Sequence, residues 1–241
     1  MDQWTHPLPE DCLTTTSRKI DSRPLPGDWW DHLGPEFSKN YMEHIRKVYK
    51  EDCAKGPVFP PANLIFNAYH LTPLDSVRVV LLGQNPYIYQ GQAQGIAFSV
   101  PQGLPYPPSL RNIFLELQAE GCGMPPSGDL TNWAKQGVFL LNTSLTVCEG
   151  NSESHLDIGW QIFTDRTIKV ISDTQENVVF CLWGKPAQKK ARLIDPSKHL
   201  ILMTSHPSPL SAHLGFIGSG HFRTINNNLV GIGQQPIDWS K

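Results

Sequence analysis

Ser205, His206, Pro207, Ser208, Pro209, Leu210 and Ser211 follow the apolar segment Leu200 to Thr204 without a break. An imidazole in that run can donate to or accept from a reacting group near neutral pH, and the hydroxyls beside it can hold an anionic oxygen. The two prolines stiffen the backbone, so the run reads as a fixed loop. A second polar run, Gly83, Gln84, Asn85, Pro86 and Tyr87, follows the apolar segment Val77 to Leu82. Asn85 carries a carboxamide, which can accept a hydrogen bond from water but has no negative charge and is a poor base. Read alone, that run is a Gly/Pro turn. Beside the histidine loop it gains chemical interest.

Something must bring these loops together. The runs Val77 to Leu82, Val138 to Asn142, Val178 to Gly184 and Leu200 to Thr204 are rich in Val, Leu and Ile with few polar breaks, the pattern of strands buried on both faces. Helical spacing appears between or before them. Phe37, Tyr41, Ile45, Val48 and Tyr49 share one face of a helix predicted over Pro35 to Lys55. Leu110, Ile113, Phe114 and Leu117 share another, as do Trp160, Phe163, Thr167, Val170 and Ile171, and the segment Pro186 to Ile194 reads as helical too. Alternation of this kind predicts an α/β fold: a single domain with a central, mostly parallel β-sheet flanked by helices on both sides. Ligands of such sheets bind outside the carboxyl ends of the strands. The loops at Gly83, Asn142, Gly184 and His206 should therefore share one edge.

Composition narrows the class. The chain has 241 residues, 39% of them hydrophobic and 17% charged, with a net charge of −2; these are the proportions of a soluble globular protein. No apolar run approaches the roughly 20 residues of a membrane span, and the N-terminus has no basic start followed by an apolar stretch, so an intracellular location is expected, cytoplasm or nucleus according to the organism. Residues 1–27 are polar and Pro-containing and read as a flexible tail ahead of one domain over 28–241. The five cysteines, Cys12, Cys53, Cys122, Cys148 and Cys181, lack Cys-x-x-Cys spacing and a histidine at ligand spacing. They read as reduced structural thiols, and no metal or other cofactor is expected. Near-neutral charge excludes a broad polycationic surface but not a small phosphate-binding patch.

Taken together, the motifs closely resemble those of the family 1 uracil-DNA glycosylases. That family's water-activating loop reads Gly-Gln-Asp-Pro-Tyr-His, followed by Gln-Ala-His-Gly and Phe-Ser-Val; here stand Gly83 to Ile88, then Gln92, Ala93, Gln94 and Gly95, then Phe98, Ser99 and Val100. Further matches are Pro105 to Ser109, Leu140 to Asn142, Leu182 to Gly184, His206 to Ser211 and Gln235 to Trp239. The resemblance spans roughly 28–239 and implies base flipping from uracil-containing DNA, single- or double-stranded, by a monomer that hydrolyses the N-glycosidic bond and leaves an abasic site for base excision repair. By the same resemblance, Phe98 stacks on uracil, Asn142 reads its polar edge, Tyr87 excludes a thymine methyl and Gln84 lines the pocket. His206 is the electrophile, Leu210 the wedge into the base stack, and Ser109, Ser208 and Ser211 hold phosphates.

Three departures from the family pattern matter. Asn85 replaces the catalytic aspartate, Ile88 replaces a histidine and Lys185 replaces a serine; Tyr89 and Gln90 also replace smaller residues. Losing one preorganised electrostatic group costs about 10²–10³ in rate, so a slowed glycosylase with Asn85 and His206 as its catalytic pair is expected. Lys185, with Lys189, Lys190 and Arg192 after it, could add cations toward the DNA backbone. The alternative is a uracil-DNA or partner-binding protein with little or no catalysis.

Overall fold

The computed structural model describes residues 24–241, so most of the expected tail lies outside the described residues. Of its last four residues, Leu25 is buried and Gly27 opens a helix. Along the chain come α1 (Gly27–Leu33), α2 (Asn40–Cys53), the short strand β1 (Val58–Phe59), α3 (Asn67–Leu71) and β2 (Val79–Gly83). Next are α4 (Pro108–Ala119), α5 (Thr131–Lys135), β3 (Val138–Asn142), β4 (Val147–Cys148) and α6 (Trp160–Thr174). The last are β5 (Val179–Trp183), α7 (Lys185–Gln188), β6 (Leu200–Thr204) and α8 (His221–Gly231).

The four apolar runs form one parallel sheet in the order β3-β2-β5-β6, flanked by helices. The strand β2 pairs with β3 on one side and β5 on the other, so the strand order reverses there and a crevice opens beyond its carboxyl end. Gly83 lies opposite Asn142, and Trp183 opposite Thr204. The strands β2, β3 and β5 are buried throughout. The expectation of two buried faces fails for β6, which forms the sheet edge and leaves Met203 48% exposed. A separate antiparallel pair, β1 with β4, is too short to leave a pattern in the sequence.

The helix expected over Pro35 to Lys55 is two pieces. A 3-10 turn covers Gly34–Ser38, and Lys39, extended at φ −86° and ψ 151°, separates it from α2. Glu36 explains the break: its carboxylate is buried and takes hydrogen bonds from Lys39 Nζ at 2.8 Å and Tyr41 Oη at 2.7 Å. The segment from Pro186 to Ile194 likewise divides into α7 and a 3-10 turn over Lys189–Leu193. Aromatic side chains fill the core. Trp29 stacks on Phe139 at 5.0 Å and donates its indole N–H to the Thr72 carbonyl, while Trp183 meets Phe216 edge-on at 4.9 Å. Burying each such ring stabilises the fold by about 1.5–3 kcal/mol. Among the described residues the four cysteines are free, and no helix is long and apolar enough to cross a membrane.

Candidate active site

The site begins with the pairing of β2 and β3. A Cβ on Gly83 would lie 2.3 Å from Asn142 Oδ1 and 2.9 Å from the Ala97 methyl, so only glycine lets that side chain sit over the strand end. Asn142 is 8% exposed, and its carboxamide makes no hydrogen bond within the described residues. Buried amides are ordinarily paired. This one faces a cavity of about 230 Å³ and is free to pair with a ligand.

Phe98 forms another part of the wall, at φ +66°. A bulky side chain in the left-handed region costs about 1–3 kcal/mol, and two bonds hold the segment there. Ala97 N–H donates to the Leu140 carbonyl of β3 at 3.0 Å, and the Tyr87 hydroxyl donates to the Phe98 carbonyl at 3.0 Å. Burial pushes the Tyr87 phenol well above its ordinary range, so it stays a neutral donor. The two rings that border the cavity are thereby fixed to each other.

His206 follows β6 and lines the same cavity. Its Nδ1 accepts the Ser208 N–H at 3.0 Å, which places the proton of the neutral ring on Nε2. Burial holds the ring below the usual histidine range, so the neutral form prevails at pH 7. A Cβ on Gly184, at φ +89°, would come 2.9 Å from His206 Cβ, so β5 ends in glycine to admit the ring. Further bonds fix the loop. Ser211 Oγ donates to the His206 carbonyl at 2.8 Å and lies 3.1 Å from Ser208 Oγ, while Asn112 Nδ2 on α4 donates to the Pro207 carbonyl at 2.7 Å.

Across the cavity, Asn85 Nδ2 donates to the Pro86 carbonyl at 2.8 Å. That bond commits the amide nitrogen and leaves Oδ1 as the acceptor available to water. Gln84 borders the cavity, but its Nε2 is turned to Glu153 Oε1 at 2.7 Å and its carbonyl accepts from Ser144 N–H and Thr143 Oγ1. Ile88 lines the cavity from within a small apolar cluster of Phe59, Ala93 and Val147. An imidazole there would be partly desolvated without a polar partner in that cluster.

Outside the cavity mouth, Leu210 is 88% exposed at the tip of the histidine loop. Ser109 lies at the start of α4 and borders the cavity, whereas Ser208, Ser211 and Lys185 line an adjoining cleft of about 890 Å³. Lys185, Lys189 and Arg192 are exposed. Lys190 corrects the expectation of a continuous basic run: it is largely buried where it borders the cleft, and its charge is paired with Asp165 of α6 at 2.5 Å. Sequence reading missed Ser152 and Glu153, and with them the β4–α6 loop as part of the wall. It also missed Asn112, which pins the histidine loop. The helical spacing of α4 fixes the face that Asn112 occupies, but its partner lies 95 residues away.

Comparison with known proteins is specific. Residues 70–230 match the uracil DNA glycosylase superfamily. The uracil-DNA glycosylase of Azotobacter vinelandii is 54% identical over 217 residues, covering 89% of this chain and 94% of that protein. That of Bacillus subtilis is 50% identical, covering 89% and 96%. Among solved structures, the mimivirus uracil-DNA glycosylase superposes with a TM-score of 0.85 at 30% identity, covering 90% of this chain and 88% of that one. A mimivirus variant solved in complex with UGI superposes with a TM-score of 0.83 at 31% identity, covering 90% of each chain.

Proposed function

The chain belongs to the uracil DNA glycosylase superfamily, and from that premise we propose how its cavity recognises uracil and cleaves the bond that holds it. The activity is that of a uracil-DNA glycosylase, a hydrolase of N-glycosyl bonds in base excision repair. One observation carries the residue assignment: the buried carboxamide of Asn142, without a hydrogen-bond partner among the described residues, faces the same cavity as Phe98 and His206.

A base inside a duplex is out of reach, so the nucleotide is extruded. Leu210 enters the vacated stack as a wedge. The uracil ring lies on Phe98, and Asn142 accepts from N3–H and donates to O4. Cytosine presents the opposite pattern at those positions, leaving both partners unpaired, which is the strong form of discrimination. Tyr87, held by the Phe98 carbonyl, occupies the space a thymine methyl would need. Ser109, Ser208 and Ser211 hold backbone phosphates, with Lys185 adding charge. To reach a phosphate, the Ser208 hydroxyl exchanges its contact with Ser211 for a charge-assisted bond. Every residue in these roles belongs to one chain, which supports a monomer as the working unit.

Bond cleavage separates charge, with a cation on the sugar and an anion on the leaving uracil. His206 Nε2–H donates to uracil O2 as negative charge grows there, and the Ser208 N–H keeps the ring in that tautomer. Asn85 Oδ1 accepts from the attacking water, whose oxygen bonds to C1′ as the C1′–N1 bond breaks; the water proton passes to solvent, since an amide does not take it. Absence of the carboxylate costs about 3–4 kcal/mol of transition-state stabilisation, or 10²–10³ in rate. The test is Asn142→Ala with duplexes that differ only in uracil against thymine. Selective binding and uracil release by the parent, both lost in the variant, support the assignment. Equal affinity of the parent for the two duplexes contradicts it.

A further inference from the structure

Away from the cavity, three chain segments converge on one point. Asp52 comes from the last turn of α2, Cys148 from β4 and His155 from the loop before α6, and their ligand atoms all lie within 4.8 Å of one another. We propose that Asp52 Oδ2, Cys148 Sγ and His155 Nε2 form a site for a divalent metal ion of the zinc class. The donor set is a thiolate, an imidazole and a carboxylate, the combination that suits Zn²⁺. Cys148 Sγ is 3.3 Å from His155 Nε2, which is 3.2 Å from Asp52 Oδ2. Zinc bonds of about 2.0–2.3 Å in a tetrahedron separate neighbouring ligand atoms by roughly 3.3–3.8 Å. The spacing is therefore close to what an ion requires, and small side-chain shifts complete it.

The surroundings orient the ligands. His155 Nδ1 lies 2.7 Å from Thr146 Oγ1, and that hydroxyl accepts the Trp160 indole N–H at 2.7 Å. With a metal on Nε2 the ring proton sits on Nδ1, where the Thr146 oxygen is placed to accept it and fix the ring orientation. The other Asp52 oxygen, Oδ1, is held by Lys55 Nζ at 2.7 Å, which turns Oδ2 to the imidazole. With protons alone, Nε2 has one site to share between two neighbours. An ion at the centre serves all three groups, and its binding releases the Cys148 thiol proton to solvent. Water fills the fourth position, reached from the Asp52 side, where the carboxylate side chain is 21% exposed.

The ion's role is that of a staple. Ser154 Oγ accepts the Cys148 N–H at 2.8 Å, closing a loop that carries Ser152 on the cavity wall and Glu153 against Gln84. Fixing both ends of that loop to α2 stiffens one side of the cavity.

Titration of the full chain with Co²⁺ tests the site, read by thiolate-to-metal charge-transfer absorption and by circular dichroism as a check of folding. The expected result is one Co²⁺ per chain, displaced by Zn²⁺, with the band absent in Cys148→Ser, unchanged in Cys53→Ser and shifted to at least tenfold higher Co²⁺ concentration in Asp52→Asn. Zn²⁺ should also raise the melting temperature of the parent. A parent without the band overturns the proposal, as does a band that survives in Cys148→Ser. Should Cys148→Ser fail to fold, the Asp52→Asn titration decides, and affinity equal to the parent's overturns the site.

Discussion

Two loops face each other across the cavity, and they are built to different ends. The loop from Ser205 to Ser211 ties its polar groups so that His206 has one tautomer and one orientation: Nδ1 is taken by the Ser208 N–H, and the His206 carbonyl by Ser211. The turn from Gly83 to Ile88 has the same kind of internal tie, Asn85 Nδ2 to the Pro86 carbonyl, but its catalytic position bears no charge and its last residue faces an apolar cluster. The leaving-group side of the reaction is preorganised in full, whereas the water side is preorganised in shape alone. The two charges separated in cleavage are therefore met unequally: His206 faces the uracil anion, and no carboxylate faces the sugar cation, while base reading is left to Asn142 and Phe98 beside both loops.

That contrast can be broken experimentally. His206→Ala should lower single-turnover uracil release by about 10²–10³, while affinity for uracil-containing DNA changes little; a loss of affinity with the rate preserved would count against His206 as the electrophile. Leu210→Ala, removing the wedge, should cost roughly tenfold on duplex DNA and much less on single strands, because unstacking costs a few kcal/mol only where a stack exists. Equal losses on both substrates would count against a wedge. Lys185→Ser should weaken binding a few-fold and reduce the slope of log K against log salt by about 1. The smallest effect is on stability. His206 and His221 each accept a hydrogen bond at Nδ1, from Ser208 N–H and the Trp183 indole, and burial holds both below the ordinary histidine value of about 6.5, with Glu116 opposing this at His221. The unfolded chain then binds more protons than the folded one as pH falls below about 6.5, so stability declines on the acid side. Urea midpoints taken from about pH 7.5 down to about pH 5.5 should fall, and less so in His221→Gln.

Much of this was legible in the sequence because the central strands are continuous apolar runs. Val138 to Asn142 reads as a strand and is one, and Gly83, Asn142, Gly184 and His206 gather at one edge as the alternation requires. What escaped has physical reasons. The helix α8 carries Phe222, Ile225 and Leu229 on its buried side but hides them among Asn226, Asn227 and Asn228, which are weak helix formers. A run of cations does not reveal which one turns inward, so Lys190 was misplaced. Glu153 against Gln84, and Asp52 against His155, join residues 69 and 103 positions apart. No local spacing announces such pairs.

The central claim is that Asn85 sets the speed of cleavage and not the choice of base. The direct measurement is single-turnover uracil release, with binding affinity, for the parent and Asn85→Asp on one uracil-containing duplex. A carboxylate loses the bond to the Pro86 carbonyl, worth about 0.5–1.5 kcal/mol, and gains the sugar-facing charge, worth about 3–4 kcal/mol. The variant should therefore cleave at least tenfold faster with affinity for uracil over thymine unchanged. A variant no faster than the parent, or one whose base preference shifts, would contradict the account.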